Sequence, residues 1–337
     1  MRRMTVLLLL FLMLTPSARA GSELDALDPL DEAAVWEALM RPITVLDVGE
    51  RETVYPLDKP GGERLFDDKM GGYIFGQSAG VTVLGADEGG YTLIEGRDDH
   101  DRLLRGYVRT RLLKKKKPNP TWGLVIDKLA QRLYVYKEGK MLSSLMISTG
   151  LVNENQPYNE TASGEYLIQS WVGGFDSEGM WCDMGIRFNG GDLLHLVPCL
   201  INKDGTKNYS PYEPLLGSKA SHGCVRVQRL KSPEGLNMRY LWENLKKNTK
   251  VLVLNRKGQT LPIPHEDTAL YYNPDRGESY HADPNCPSVR ERYLPLKPFT
   301  YGELEEGAFA ELYPCSACQP PLRASVLNDR NAESLAS

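Results

Sequence analysis

A chain of 337 residues is longer than one ordinary hydrophobic core supports and divides into two or three domains. Its 41% hydrophobic and 25% charged residues are those of a globular chain, and a net charge of -4 gives nucleic acid no electrostatic reason to bind. Charge alone names no partner, and nothing in the sequence sets the oligomeric state.

In chain order, Arg2 and Arg3 precede an apolar run at 6–14, and Ala18-Arg19-Ala20 has the small-x-small pattern of a cleavage site. Residues 1–20 therefore read as a secretory signal peptide, which implies a protein exported to the cell wall or beyond. The run is too short to span a bilayer, no later segment reads as transmembrane, and no Cys follows the cleavage site to take a lipid, so no stable membrane span is expected. Residues 21–40 form an acidic lead segment with some helical spacing (Leu24, Leu27, Val35, Leu39) and no assigned role. Over 41–113, short β-forming runs such as Ile43-Thr44-Val45-Leu46, Val81-Thr82-Val83-Leu84 and Tyr91-Thr92-Leu93-Ile94 alternate with Gly and Asp turns, the spacing of a small barrel. With its Gly106-Tyr107-Val108 ending, this stretch resembles a bacterial SH3-like domain. Lys114 to Lys117, then Pro118-Asn119-Pro120, read as a solvated linker over 114–120, because adjacent like charges repel and proline blocks regular structure.

From Trp122 the pattern becomes a longer β-rich unit, 121–256. Two strands, Leu124-Val125-Ile126-Asp127 and Arg132-Leu133-Tyr134-Val135-Tyr136, flank a polar turn, and a third runs over 141–149. Ser232-Pro233 offers an N-cap and a first-turn proline for a helix carrying Leu236, Tyr240, Leu241 and Leu245. A small unit follows at 266–321, and the polar tail 322–337 reads as disordered.

The chemistry concentrates in Ser221-His222-Gly223-Cys224-Val225-Arg226. A lone Cys beside Gly and polar groups fits a reactive thiol: Arg226 and a His favour the thiolate, Gly223 lets a substrate backbone approach, and backbone N–H groups around Gly223 and Cys224 can face an oxyanion. A structural or disulfide-bonded Cys is the usual alternative in an exported chain.

The run resembles the signature of the L,D-transpeptidase catalytic domain, the YkuD-like family. Ile126-Asp127, Gln131 to Tyr136, Ser148-Thr149-Gly150 and Thr161-Ala162-Ser163-Gly164-Glu165-Tyr166 are similar to other parts of that domain, with Ala162 where the family has Pro. The resemblance implies a mainly β protein: a β-sandwich catalytic domain with a helix, preceded by the SH3-like barrel and followed by the His/Cys module. It implies a Cys224 nucleophile acting on peptidoglycan stem peptides through a thioester, with no cofactor for catalysis. It also makes Ser221, His222 and Gly223 shapers of the oxyanion and substrate pocket, and Arg226 a clamp for a substrate carboxylate.

Five histidines are available as base: His100, His195, His222, His265 and His281. The family's base is a strand His upstream of the signature, the place of His195 in Leu193-Leu194-His195-Leu196-Val197-Pro198. The 25 residues 196–220 exceed the family's usual spacing, and an insertion around 202–212 would account for that. Leu196 stands where the family has a small residue, so the group orienting the imidazole would have to be a backbone carbonyl. His222, two residues from the thiol, is the competing base. The segment 171–184, rich in Gly and aromatics, reads as a lid, a substrate wall or a plain loop. A second function class stays open: a wall-binding protein in which Cys224 is inert or bridged to Cys182 or Cys199. A carboxypeptidase with water as acceptor is the nearer variant.

His281-x4-Cys286 and Cys315-x2-Cys318 form a separate constellation. Three thiolates and an imidazole suit a closed tetrahedral structural zinc site, while a disulfide from Cys286 to Cys315 or Cys318 is the alternative.

Overall fold

A computed structural model describes residues 24–66 and 71–336; the signal-peptide segment lies outside them. The architecture is mainly β. Nine strands form one sheet in the order Gly164–Leu167, Lys250–Leu254, Trp122–Asp127, Arg132–Lys137, Lys140–Ser148, Val225–Val227, Asp192–Leu196, Met180–Asn189 and Trp171–Ser177. The sheet curls until its two ends meet: Gln169 and Arg187 share a backbone hydrogen bond of 2.9 Å, and the Tyr166 and Phe188 rings lie edge to face at 5.7 Å.

Side-chain alternation explains the layering. Leu124 and Ile126, Leu133 and Val135, Leu194 and Leu196, and Val225 and Val227 fill the enclosed core. Their neighbours Val125, Tyr134, Tyr136, Leu252 and Leu254 face outward and receive the helix Glu32–Met40 through Val35, Ala38 and Leu39. The lead segment thus has a structural role that its sequence did not reveal. Its last carbonyls, Ala38 O and Arg41 O, accept hydrogen bonds at 2.8 and 3.0 Å from the buried ammonium of Lys250, which also pairs with Glu165 at 3.0 Å.

Over 43–116 a five-stranded antiparallel sheet runs in the order Leu103–Arg109, Tyr91–Arg97, Gly80–Val83, Ile43–Leu46 and Leu113–Lys116. Here the linker reading is corrected. Lys114 to Lys116 form a bordering strand because their backbone pairs with Ile43–Leu46, while Lys114 reaches Asp47 at 3.1 Å and Lys116 reaches Gln77. The helix near 232 also begins later than expected, at Met238–Asn244, capped by the Asn237 side chain on Tyr240 N. Gly235 holds φ +86°, outside the helical region, so Ser232 closes a turn on Leu236 instead.

The C-terminal unit pairs Lys297–Thr300, Ala269–Tyr272, Ser279–His281 and Tyr313–Pro314 in a four-stranded sheet. The tail expected to be disordered is the helix Ala324–Ala336. Its composition is polar, yet tertiary contacts hold it: Leu327 and Arg330 are buried, Arg330 donates to Gly217 O and Leu129 O, and Asn331 brackets both backbone groups of Leu261. None of the described helices is long and apolar enough to cross a membrane.

Candidate active site

Two adjacent parallel strands carry the candidate groups. Asp192–Leu196 pairs with Val225–Val227 so that His195 lies beside Arg226 and Leu194 beside Val225. Since Leu194 and Val225 point into the core, His195 and Arg226 share the other face, and Cys224 sits in the bend directly before Val225. The sequence run that reads as an apolar strand therefore turns the imidazole out of the core, one strand away from the bend that carries the thiol.

His195 is 3% exposed. Its Nδ1 lies 2.7 Å from Leu196 O, and because a carbonyl only accepts, Nδ1 carries the proton and Nε2 keeps its lone pair. The orienting carbonyl that the sequence required but could not locate belongs to the next residue. Phe175 packs edge-on against the ring at 5.5 Å. Burial, with a smaller push from the Arg226 cation, lowers the imidazole pKa to about 4 against the opposing Leu196 bond. Cys224 is a free, half-buried thiol that burial, and then the Asp192 carboxylate, push up to about 12.

The turn that presents Cys224 is held on several sides. Ser221 Oγ donates to Cys224 O and accepts Gly223 N–H at 3.3 Å. Gly223 adopts φ +118°, and a Cβ there would sit 2.7 Å from Asp192 Oδ1, so only glycine fits. Thr161 Oγ1 donates to Gly223 O at 2.7 Å while accepting Gly150 N–H at 2.9 Å, tying the turn to the Ser148-Thr149-Gly150 corner. Gly150 is equally constrained, because its Cβ would lie 1.8 Å from Asn159 O. Sequence reading quoted Thr161 and Gly150 without giving them this task, and it missed Asp192, whose carboxyl is raised to about 7 chiefly by burial. The only available signal was a polar residue in a stretch that folds inward.

His222 is exposed and turns the other way, toward Glu178 Oε2 at 3.6 Å and Gln156 Nε2 at 3.4 Å. This geometry favours His195 as the base over His222. Arg226 is 5% exposed, with Tyr212 over its guanidinium at 5.7 Å and the Met180 sulfur at 3.9 Å; among the described residues no carboxylate pairs with it. Segment 171–184 is neither a plain loop nor irregular: it belongs to the hairpin Trp171–Ser177 and Met180–Asn189, whose Phe175, Glu178 and Met180 touch His195, His222 and Arg226. Residues 202–212 hold most of the small ribbon Leu200–Ile201 with Lys207–Asn208, and this excursion delivers Tyr212 to Arg226. Cys182 and Cys199 are free and buried, and burial raises Cys182 to about 12.

Residues 121–253 match the family model of the L,D-transpeptidase catalytic domain, YkuD. That span contains every residue of the site just described. Among solved structures, an L,D-transpeptidase from Stackebrandtia nassauensis is 23% identical over 43% of this chain and 60% of its own, with a TM-score of 0.30. One from Mycobacterium tuberculosis H37Rv is 18% identical over 48% and 66%, TM-score 0.31. L,D-transpeptidase 3 from Mycobacterium tuberculosis, in complex with a faropenem-derived adduct, is 16% identical over 48% and 68%, TM-score 0.32. The chain thus spans under two thirds of the first two structures it resembles. No curated protein matches it.

Outside the residues that match the YkuD model, His281, Cys286, Cys315 and Cys318 bring their ligand atoms within 4.8 Å of one another, a group able to hold a metal ion. Cys286 Sγ and Cys315 Sγ are 3.8 Å apart, and Cys318 Sγ is 3.5 Å from His281 Nδ1. A tetrahedral zinc with bonds of about 2.3 Å to sulfur and about 2.0 Å to nitrogen sets these edges at about 3.8 and about 3.5 Å, so the donors fit that ion.

Proposed function

We propose that this protein is an exported L,D-transpeptidase that forms or trims peptidoglycan stem-peptide crosslinks through a thioester on Cys224. The supporting observation is that Cys224 leads directly into the strand paired with that of His195, whose Nε2 is left as acceptor by the Leu196 carbonyl. With the thiol near 12 and the imidazole near 4, the resting pair is neutral, so proton transfer to His195 accompanies attack instead of preceding it.

The sulfur adds to the carbonyl between the third stem residue and the terminal D-amino acid. Its proton passes to Nε2 and then to the departing amine as the C–N bond breaks. A second stem's amine, or water, takes the acyl group and regenerates the thiol. Backbone N–H groups at Gly223 and Cys224 face the oxyanion, with the Gly223 donor released from its long bond to Ser221 Oγ. Arg226, buried and without an acidic partner among the described residues, supplies positive potential and a carboxylate clamp on the substrate side. The 43–116 sheet is read as an SH3-like module. In the C-terminal module we assign a structural zinc to the four-ligand cluster; four protein ligands leave no coordination position for water.

Incubating the protein with disaccharide tetrapeptides tests the assignment. Dimers or trimmed tripeptides should form, a carbapenem should add one adduct mass on Cys224, and both should vanish in Cys224→Ala. Turnover that survives the substitution would refute the reading.

A further inference from the structure

The zinc cluster does more than close a small module. We propose that it is a positioning device for the nucleophile strand, acting through Gln228; the proposal rests on the zinc assignment above.

Gln228 directly follows Val227, the last residue of the strand that begins one position after Cys224. It is fully buried, and its side-chain amide makes four hydrogen bonds. Oε1 accepts Met146 N–H at 2.6 Å and Gln319 Nε2–H at 3.2 Å, while Nε2 donates to Leu230 O at 2.8 Å and to Ser316 O at 2.9 Å. Two of these partners belong to the metal knuckle: Ser316 lies between the ligands Cys315 and Cys318, and Gln319 follows the second.

The knuckle is itself tightly shaped. Gln319 sits at φ +51° and returns its N–H to Cys315 O at 2.8 Å, while Cys315 N–H bonds Tyr280 O at 3.0 Å. Gln319 also donates to Ser144 O at 2.7 Å and accepts from Arg132 at 2.7 Å. It therefore grips the two strands that continue the sheet beyond the nucleophile strand. On the apolar side, Leu230 packs against Cys286, Leu296, Cys315 and Ala317.

The consequence follows from rigidity. Within Val225–Val227 the backbone is paired on both sides, with Asp192–Leu196 and with Lys140–Ser148. A shift at Gln228 is transmitted along an extended segment to Cys224, about 13 Å away at strand rise. What fixes the Ser316 carbonyl and the Gln319 amide is the metal crosslink, since the module's core around it is small. Loss of the ion frees the knuckle, leaves the buried Gln228 amide short of partners and loosens the register on which the Cys224 to His195 alignment depends.

The test uses the full zinc-loaded protein. Chelation, and separately Gln228→Leu, should each speed amide exchange at 225–228 by about tenfold. Each should also slow carbapenem acylation of Cys224 by about tenfold. Zinc re-addition should restore the chelated sample, and Gln228→Leu should keep one zinc per chain. If Gln228→Leu fails to fold, the chelation and re-addition arm decides alone. Unchanged exchange and acylation in the zinc-free protein would overturn the proposal while leaving the zinc assignment intact. A freshly purified chain without zinc would overturn both. If the intact protein is not acylated at all, the transpeptidase reading falls, and the exchange arm still decides the positioning role.

Discussion

Two places in this protein bring cysteine and histidine together, and they are built for opposite ends. At the candidate active site one imidazole stands on a strand beside the one that Cys224 leads into, burial lowers the imidazole pKa and raises that of the thiol, and a glycine fills the turn before the sulfur. In the C-terminal module three thiols and one imidazole converge within 4.8 Å, a group able to hold a metal ion. The side chains are the same; on the proposed reading the number that meet, and whether a substrate backbone can reach them, separates a reactive site from a structural one.

Substitutions probe that contrast most directly. Cys224→Ser should reduce acyl transfer by about 10^4-fold or more, as loss of a catalytic nucleophile does, whereas Cys315→Ser should empty the metal centre, as read by elemental analysis, and leave the Cys224 thiol titratable. His195→Gln should cost about 10^2 to 10^4-fold in carbapenem acylation. In the intact protein the acid limb of the acylation profile should fall near pH 4, not near the ordinary imidazole value of 6.5; a limb at 6.5 would mean that His195 is not the base.

Smaller effects sharpen the picture. Gly223→Ala must place a side chain at φ +118° against Asp192, which should destabilise the turn by about 1–3 kcal/mol in chemical denaturation. The same folded-state imidazole also affects stability. Its pKa is depressed, so the unfolded chain takes up a proton below pH 6.5 that the folded chain refuses until about 4; stability is lost as pH falls through that window. Between pH 7 and pH 5 the loss should be about 2 kcal/mol, and this share should be missing in His195→Gln.

The short motif around Cys224 stands out in the sequence because a glycine, a polar turn and a following strand in consecutive positions are what a nucleophile would need. His195 is picked out only by its place relative to that motif, since an imidazole among leucines looks like core. The convergence of His281, Cys286, Cys315 and Cys318 could be read from spacing, because two cysteines three positions apart share one turn. What escaped was set by tertiary contact. Lys114 to Lys116 look solvated until a partner strand lines up with their backbone, and Arg330 looks like tail until Gly217 O and Leu129 O lie before it. Thr161, Asp192 and Gln228 carry no local signature, because each acts on a neighbour distant in sequence.

The lysine strand has a further consequence. Leu113–Lys116 borders its sheet, so among the described residues one row of its amides and carbonyls has no strand beside it. Such a margin invites another molecule to extend the sheet, and two copies meeting there would set like charges face to face. The repulsion that seemed to argue against regular structure instead guards a finished one, discouraging self-association where many copies crowd together.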